Sequence, residues 1–294
     1  MEVDCEGCAG CCLDWRPLTA DRDAGHERRG ERDPLDDVYN LVPLTRDDVH
    51  AFLDAGLADA MRPRLWKPAA RDDAVTIDGH EVAAIGDRPV FFVGLRKPPK
   101  PVGPFGVEET WLPTCAFLDP ETLQCRVHES ETYPDECADY PGHNLVLDAE
   151  TECERVEDAF GGERLVEGTP PEDLDAPAFG PQAVGSKVFV YPDPADLDGV
   201  VGRLAADDLT TEDRARFVAV AAASAPGTGA VEPNRREEAY ERAVSQSSWV
   251  GAAAEEWHRL ADEGGVDADA SLADGVEVAR GAPETPGWTV GSDQ

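Results

Sequence analysis

The segment Cys5-Glu6-Gly7-Cys8-Ala9-Gly10-Cys11-Cys12 puts four thiols into eight residues, and this constrains the chain more than anything else in it. Disulfides among such near neighbours would close loops too short to restrict the unfolded chain much. Four thiolates held this closely repel one another unless a cation neutralises them, and a bound metal does so while displacing the thiol protons. Thiol redox chemistry and inert buried thiols are the competing readings. Gly7 and Gly10 stand between the sulfurs, where small residues let backbone amides turn towards a thiolate. Cysteines at i, i+3 and i+6 have the spacing that wraps one corner of an iron–sulfur cluster, whose last ligand comes from elsewhere in the chain. A single C-x2-C pair equally serves tetrahedral zinc. The adjacent pair Cys11-Cys12 is expected to point its side chains apart. That predicts two metals, a bridging thiolate or one cysteine outside the ligand set.

Four further cysteines follow at Cys115, Cys125, Cys137 and Cys153, in a chain with only two Met. A disulfide framework belongs to small exported scaffolds, and 294 residues without a visible leader do not fit that description. Cys115-Ala116-Phe117-Leu118 runs through a turn at Asp119-Pro120-Glu121-Thr122 to Cys125-Arg126-Val127-His128. Tyr133-Pro134-Asp135-Glu136-Cys137-Ala138-Asp139-Tyr140-Pro141 comes next. The repeated Pro and turn residues predict that these cysteines sit on loops rather than regular helices. His128 and His143 are candidate nitrogen ligands, but each is expected to be solvent-facing or merely hydrogen-bonded.

These segments together resemble the YkgJ-type cysteine-cluster family. The residues carrying the resemblance are Cys5 to Cys12, Val42-Pro43-Leu44-Thr45-Arg46-Asp47-Asp48-Val49, Cys115-Ala116-Phe117-Leu118, Cys125-Arg126-Val127-His128 and Pro134 to Pro141. They span roughly residues 1–160. The resemblance implies a CxxCxxCC domain that chelates zinc or iron. Tyr133 stands where the family has Arg, so no charge role carries over to that position. Residues 13–114 separate the two cysteine groups by more than the family pattern does, which implies an insertion. Flagellin lysine methylases carry a similar cluster, and this makes an iron–sulfur enzyme acting on a protein side chain the alternative expectation.

Composition narrows the partners. Sixty-one acidic against 26 basic side chains give a formal charge of −35. Counterion release on nucleic acid and adsorption to anionic lipid both need the opposite sign. Lysine occurs only at positions 67, 97, 100 and 187, and the carboxylates are spread along the whole length. That is the composition of a halophilic surface, on which molar salt shrinks the Debye length to about 3 Å and screens self-repulsion. No apolar run approaches the ~18 residues of a membrane helix, the longest being about Val218 to Ala225. The start Met1-Glu2-Val3-Asp4-Cys5 has neither the basic nor the apolar part of a signal peptide, which predicts a cytoplasmic protein.

Local signals sketch the rest. Thr45 and Asp48 form a capping pair before Val49, Phe52, Leu53 and Leu57 at helical spacing. Residues 74–95 alternate as strands around a two-residue Asp78-Gly79 turn. Lys97-Pro98-Pro99-Lys100-Pro101 reads as a stiff solvated linker. Gly161-Gly162 and the Pro-rich residues 168–181 read as connection, and Lys187–Tyr191 as a short strand. Thr210 or Thr211 caps a helix ending before Pro226-Gly227. A longer helix from about Asn234 to Ala261 would bury Tyr240, Val244, Val250, Trp257 and Leu260. Residues 264–294 read as a disordered acidic tail. No phosphate-binding loop, dinucleotide fingerprint, H-E-x-x-H, nucleophile elbow or glycine-rich SAM loop is present, so no catalytic residue is assigned. The expectation is an α+β chain. A small irregular metal-organised domain (1–160, with an inserted β-hairpin region at about 62–110) precedes a mainly helical part (161–263) and the tail. Cys5, Cys8, Cys11, Cys115, Cys125 and Cys137 lead the candidate ligands for zinc or iron, iron–sulfur included, with Cys12 and Cys153 next.

Overall fold

The computed structural model describes residues 1–19, 32–70, 73–172, 174, 180–264 and 266–286. A short strand β1 (Glu2–Val3) leads into the turns that carry the first cysteines. Helix α1 (Arg46–Asp54) starts at the expected capping box, with Thr45 and Asp48 exchanging side-chain and backbone bonds. The central sheet follows: β2 (Met61–Leu65), β3 (Asp73–Ile77), β4 (His80–Ile85) and β5 (Arg88–Leu95). These strands are ordered β2-β5-β4-β3 and antiparallel throughout. Asp78 and Gly79 make the β3–β4 turn, both at positive φ (51° and 79°), as a two-residue hairpin connection requires. A second ribbon pairs β6 (Pro99–Val102) with β7 (Thr110–Pro113).

Three short helices come next: α2 (Asp135–Asp139), α3 (Gly142–Val146) and α4 (Glu152–Phe160). Strand β8 (Leu165–Glu167) returns to pair with β1, a long-range pairing that the two residues Glu2-Val3 are too few to announce. Strand β9 (Phe189–Val190) adds to β5. Helix α5 (Val200–Ala205) precedes α6 (Thr211–Ala223), whose cap is Thr210 rather than Thr211, both of which the sequence leaves open. Helices α7 (Pro233–Ser245), α8 (Trp249–Asp262) and α9 (Ala273–Val276) complete the chain. The protein is thus mixed helix and sheet. The buried, alanine-rich α6 packs on α1, α7, β2, β5 and β9. One apolar core therefore runs from Cys8 through the sheet to Val250, continuous across position 160.

Three expectations need correction. The helix expected over 234–261 is two helices, because Ser248 caps α8 anew while Asp59 accepts bonds from the Ser248 amide and hydroxyl. Periodicity survives such a break, so it could not reveal one. The lysines of the supposed linker are buried, Lys97 at 9% exposure and Lys100 at 0%, and Pro99–Val102 is a strand. The supposed tail is docked on the rest of the chain through Ala270, Ala273, Val276, Glu277 and Ala282, all of them buried. Residues 270–280 form short helical turns, and Glu277 is fully buried. Positions 265 and 287–294 of that segment lie outside the described residues, as do 173 and 175–179 of the expected Pro-rich connection.

Candidate functional site

Backbone pairing brings the two cysteine groups together. Turns close the first group, with the Cys8 amide donating to the Cys5 carbonyl (3.1 Å) and Cys12 to Ala9 (2.8 Å). Gly7 and Ala9 take positive φ (64° and 51°) to make those turns. Leu13 then bridges Thr114, and the Cys115 amide donates to the Cys12 carbonyl at 2.8 Å. A bridge between Leu118 and Cys125 folds residues 115–127 into a tight hairpin, with the Arg126 amide donating to the Phe117 carbonyl at 2.9 Å. The Asp119 carboxylate accepts the Glu121 amide inside this turn. Cys137 and Cys153 stand on α2 and α4, a correction to the expectation of loops. Short helices with their own caps tolerate the Pro residues that flank them: Pro134 and Pro141 lie outside α2, and Thr151 with Glu154 forms a capping box for α4. The α1 cap also holds α2, since Asp48 accepts the Asp135 amide at 3.2 Å. Gly10 lets α4 approach the first group, because a Cβ there would stand 2.7 Å from Val156.

All eight cysteines line one cavity of about 620 Å³. None is in a disulfide. Cys11 and Cys12 do not diverge as expected: the turn brings their Sγ atoms to 3.8 Å, a contact well beyond the roughly 2.05 Å of a disulfide. Among the described residues, no group of three or more His, Cys, Asp or Glu side chains is arranged to hold a metal ion. The thiols thus surround a space rather than a point. His128 also lines the cavity, its ring edge-on to Tyr133 at 4.9 Å between centroids. His143 is outside the lining and lies 3.9 Å from Asp139.

Burial pushes the thiols of Cys5, Cys8, Cys115, Cys125, Cys137 and Cys153 up from their ordinary range, Cys125 and Cys153 to about 12. Neighbouring thiols add to this through mutual repulsion, Cys11 being a shared contributor. The hydrogen bond between Cys11 and Cys12 splits that pair, lowering Cys11 and raising Cys12. Tyr133 and Tyr140 are raised by burial and by the cysteines beside them. The fully ringed carboxylate on the wall belongs to Glu152. It accepts from Trp15 Nε1 (2.6 Å), Tyr39 hydroxyl (2.7 Å) and Arg155 (3.4 Å). In so acidic a sequence nothing singles Glu152 out; only its partners do.

A second group supports the site from the hairpin's flank. Lys100 Nζ donates to the carbonyls of Ala116 (2.9 Å) and Leu118 (2.7 Å) and pairs with Glu277 at 2.6 Å. Arg126 joins Glu277 (2.9 Å) to Asp119 (3.1 Å), and Trp257 Nε1 donates to Glu277 at 3.0 Å. Thr285 donates to Asp119 at 2.6 Å. The C-terminal segment thereby fixes the turn between Cys115 and Cys125. Among the described residues no helix is long and apolar enough to cross a membrane. The chain belongs to a family of unknown function, DUF7531, whose profile matches residues 1–289. No curated protein and no solved structure matches it.

Proposed function

We propose that the chain binds zinc or iron through its clustered cysteines, iron either as ions or as an iron–sulfur centre. One observation carries the reading: eight unpaired thiols from well-separated stretches of chain line a single cavity. The donor set fits. Sulfur-rich ligation suits zinc and iron–sulfur centres over hard, oxygen-seeking cations. The 3.8 Å between Cys11 and Cys12 matches the sulfur–sulfur edge of a thiolate tetrahedron with metal–sulfur bonds of about 2.3 Å. Ligation by more of the set needs thiols to rotate inward, which the cavity leaves room for. A bound metal supplies the positive charge that lets these thiols ionise. The chain's own contribution is placement: the Cys12–Cys115 backbone bond, the capped α4 and the Glu277 network hold the sulfurs from behind. On this reading residues 1–160 form a metal-organised unit with an inserted sheet, similar to the YkgJ-type cysteine-cluster proteins.

A second reading, an iron–sulfur enzyme acting on a protein side chain similar to flagellin lysine methylases, is favoured by the cavity's size. At about 620 Å³ it falls within the range of small-molecule sites and far exceeds one ion. Elemental analysis with an acid-labile sulfide assay on anaerobically purified full-length protein tests both. Zinc in colourless protein, iron without sulfide, or iron with sulfide in brown protein is expected, and only the last keeps the enzyme reading. Protein free of both metals, with a melting temperature unmoved by added zinc or iron, would end the proposal.

A further inference from the structure

Away from the cysteine-lined cavity, a smaller one of about 60 Å³ is lined by Arg62, Arg96, Lys97, Arg214 and His258 with Asp207. Such a gathering of cations stands out in a chain whose acidic side chains outnumber its basic ones 61 to 26. Strand β2 supplies Arg62, the end of β5 leads to Arg96 and Lys97, and α6 and α8 supply Arg214 and His258. Arg62 and Lys97 are both more than nine-tenths buried. Their Nε, Nη2 and Nζ atoms, and Nε of Arg214, have no hydrogen-bond partner. Buried donors normally find acceptors, and leaving charged ones unmet is costly.

The protein answers this positive charge only in part. Asp207 accepts Nη1 of Arg62 at 2.9 Å from a largely exposed position. Arg96 Nη1 donates to the Asp59 carbonyl (3.1 Å) and Arg214 Nη1 to the Leu209 carbonyl (2.6 Å), while the Asp59 carboxylate, which with Glu255 opposes their charge, bonds Ser248. Arg96 is pulled down to about 10, first by burial and then by Arg214 and Arg62. Burial and Arg62 lower Arg214 in the same direction, and burial with Arg96 lowers His258. Guanidinium edges and an ammonium around one space match the several oxygens of an oxyanion better than the single atom of a halide. The volume is several times what one water needs.

We propose that this cavity is a binding site for a tetrahedral oxyanion of the phosphate class, held by Arg62, Arg96, Lys97 and Arg214. The three arginines carry the inference, since Lys97 also faces the thiols of Cys115, Cys12 and Cys11. Ligand binding to the folded state raises the melting temperature by mass action. The test follows the melting temperature of the full-length protein at fixed ionic strength in potassium chloride while inorganic phosphate, sulfate or glycerol phosphate replaces part of the chloride. A saturable rise of several degrees with phosphate is expected, together with broadening of its phosphorus NMR line. An equal response to glycerol phosphate identifies an ester end as a ligand, and a response confined to the inorganic ions identifies the free anion. Arg214→Gln and Arg96→Gln should each abolish the rise, measured against that variant's own ligand-free melting temperature. No rise in the unsubstituted protein, or the same rise in both variants, overturns the assignment; the NMR measurement decides if either variant fails to fold.

Discussion

The Glu277 network and the cysteine-lined cavity both border the hairpin from Cys115 to Cys125, yet they are finished in opposite ways. In the network every charged group meets a partner within the chain: Lys100, Arg126, Asp119 and Glu277 all do so with two carbonyls, Trp257 and Thr285 around them. In the cavity, burial pushes most of the thiols up from their ordinary range, and Cys11 meets Cys12 sulfur to sulfur. Buried ionic groups are tolerable when fully satisfied and costly when one member is missing. The contrast teaches that this fold completes its ionic interior beside the hairpin from within the chain, whereas the thiols on the hairpin's other side border open space.

The sharpest way to break that contrast is to remove the external partner. If metal completes the cavity, chelation should cost the loaded protein about 10 kcal/mol of folding free energy. Denaturant melts before and after chelator would read this, with Cys8→Ser expected to lower metal content in parallel. A Cys8→Ser protein with unchanged metal and melting temperature would count against the cavity's role. The network predicts the next largest effect. Glu277→Gln leaves Lys100 and Arg126 short of a carboxylate, a loss of about 3–5 kcal/mol. The same change should weaken metal retention, because the hairpin bearing Cys115 and Cys125 loses its anchor. Equal stability of Glu277→Gln and parent in urea would show the network to be dispensable.

Smaller substitutions sharpen the comparison at the cavity wall. Gly10→Ala places a methyl against Val156 on α4 and should cost about 1–3 kcal/mol by overpacking. The expected signature is a lower melting point together with faster oxidation of Cys153, read by thiol labelling. Thr151→Ala removes the α4 cap for about 1 kcal/mol. Its effect should be felt by Cys153 before Cys115, and uniform loosening of all the thiols would contradict the separate anchoring of the two sides.

Local chemistry was readable wherever neighbours in sequence decide the outcome. Thr45 with Asp48 and the Asp78-Gly79 turn each act within a few residues and appear as the sequence suggests, and a cap at Thr210, one of two candidates there, starts α6. Long-range pairings decided the rest. Nothing near Lys97 or Lys100 signals burial, because Lys100's partner Glu277 comes from a stretch whose composition resembles disorder. The break between α7 and α8 depends on Asp59 reaching Ser248. The cysteines were visible as a group because sulfur is scarce elsewhere, whereas Glu152 and the Arg62 cluster were hidden. One more carboxylate among 61 carries no signal, and arginines from separate elements form no motif.

The position of Glu277 has a consequence for biosynthesis. A nascent chain exposes Cys5 through Cys153 to the surrounding solution well before the residue that clamps the Cys115–Cys125 turn leaves the ribosome. Until then the thiols stand on an unbraced scaffold, open to oxidation or to capture by adventitious ions. Synthesis in such a protein therefore has a vulnerable interval, and closing it depends on the last part of the described chain to emerge.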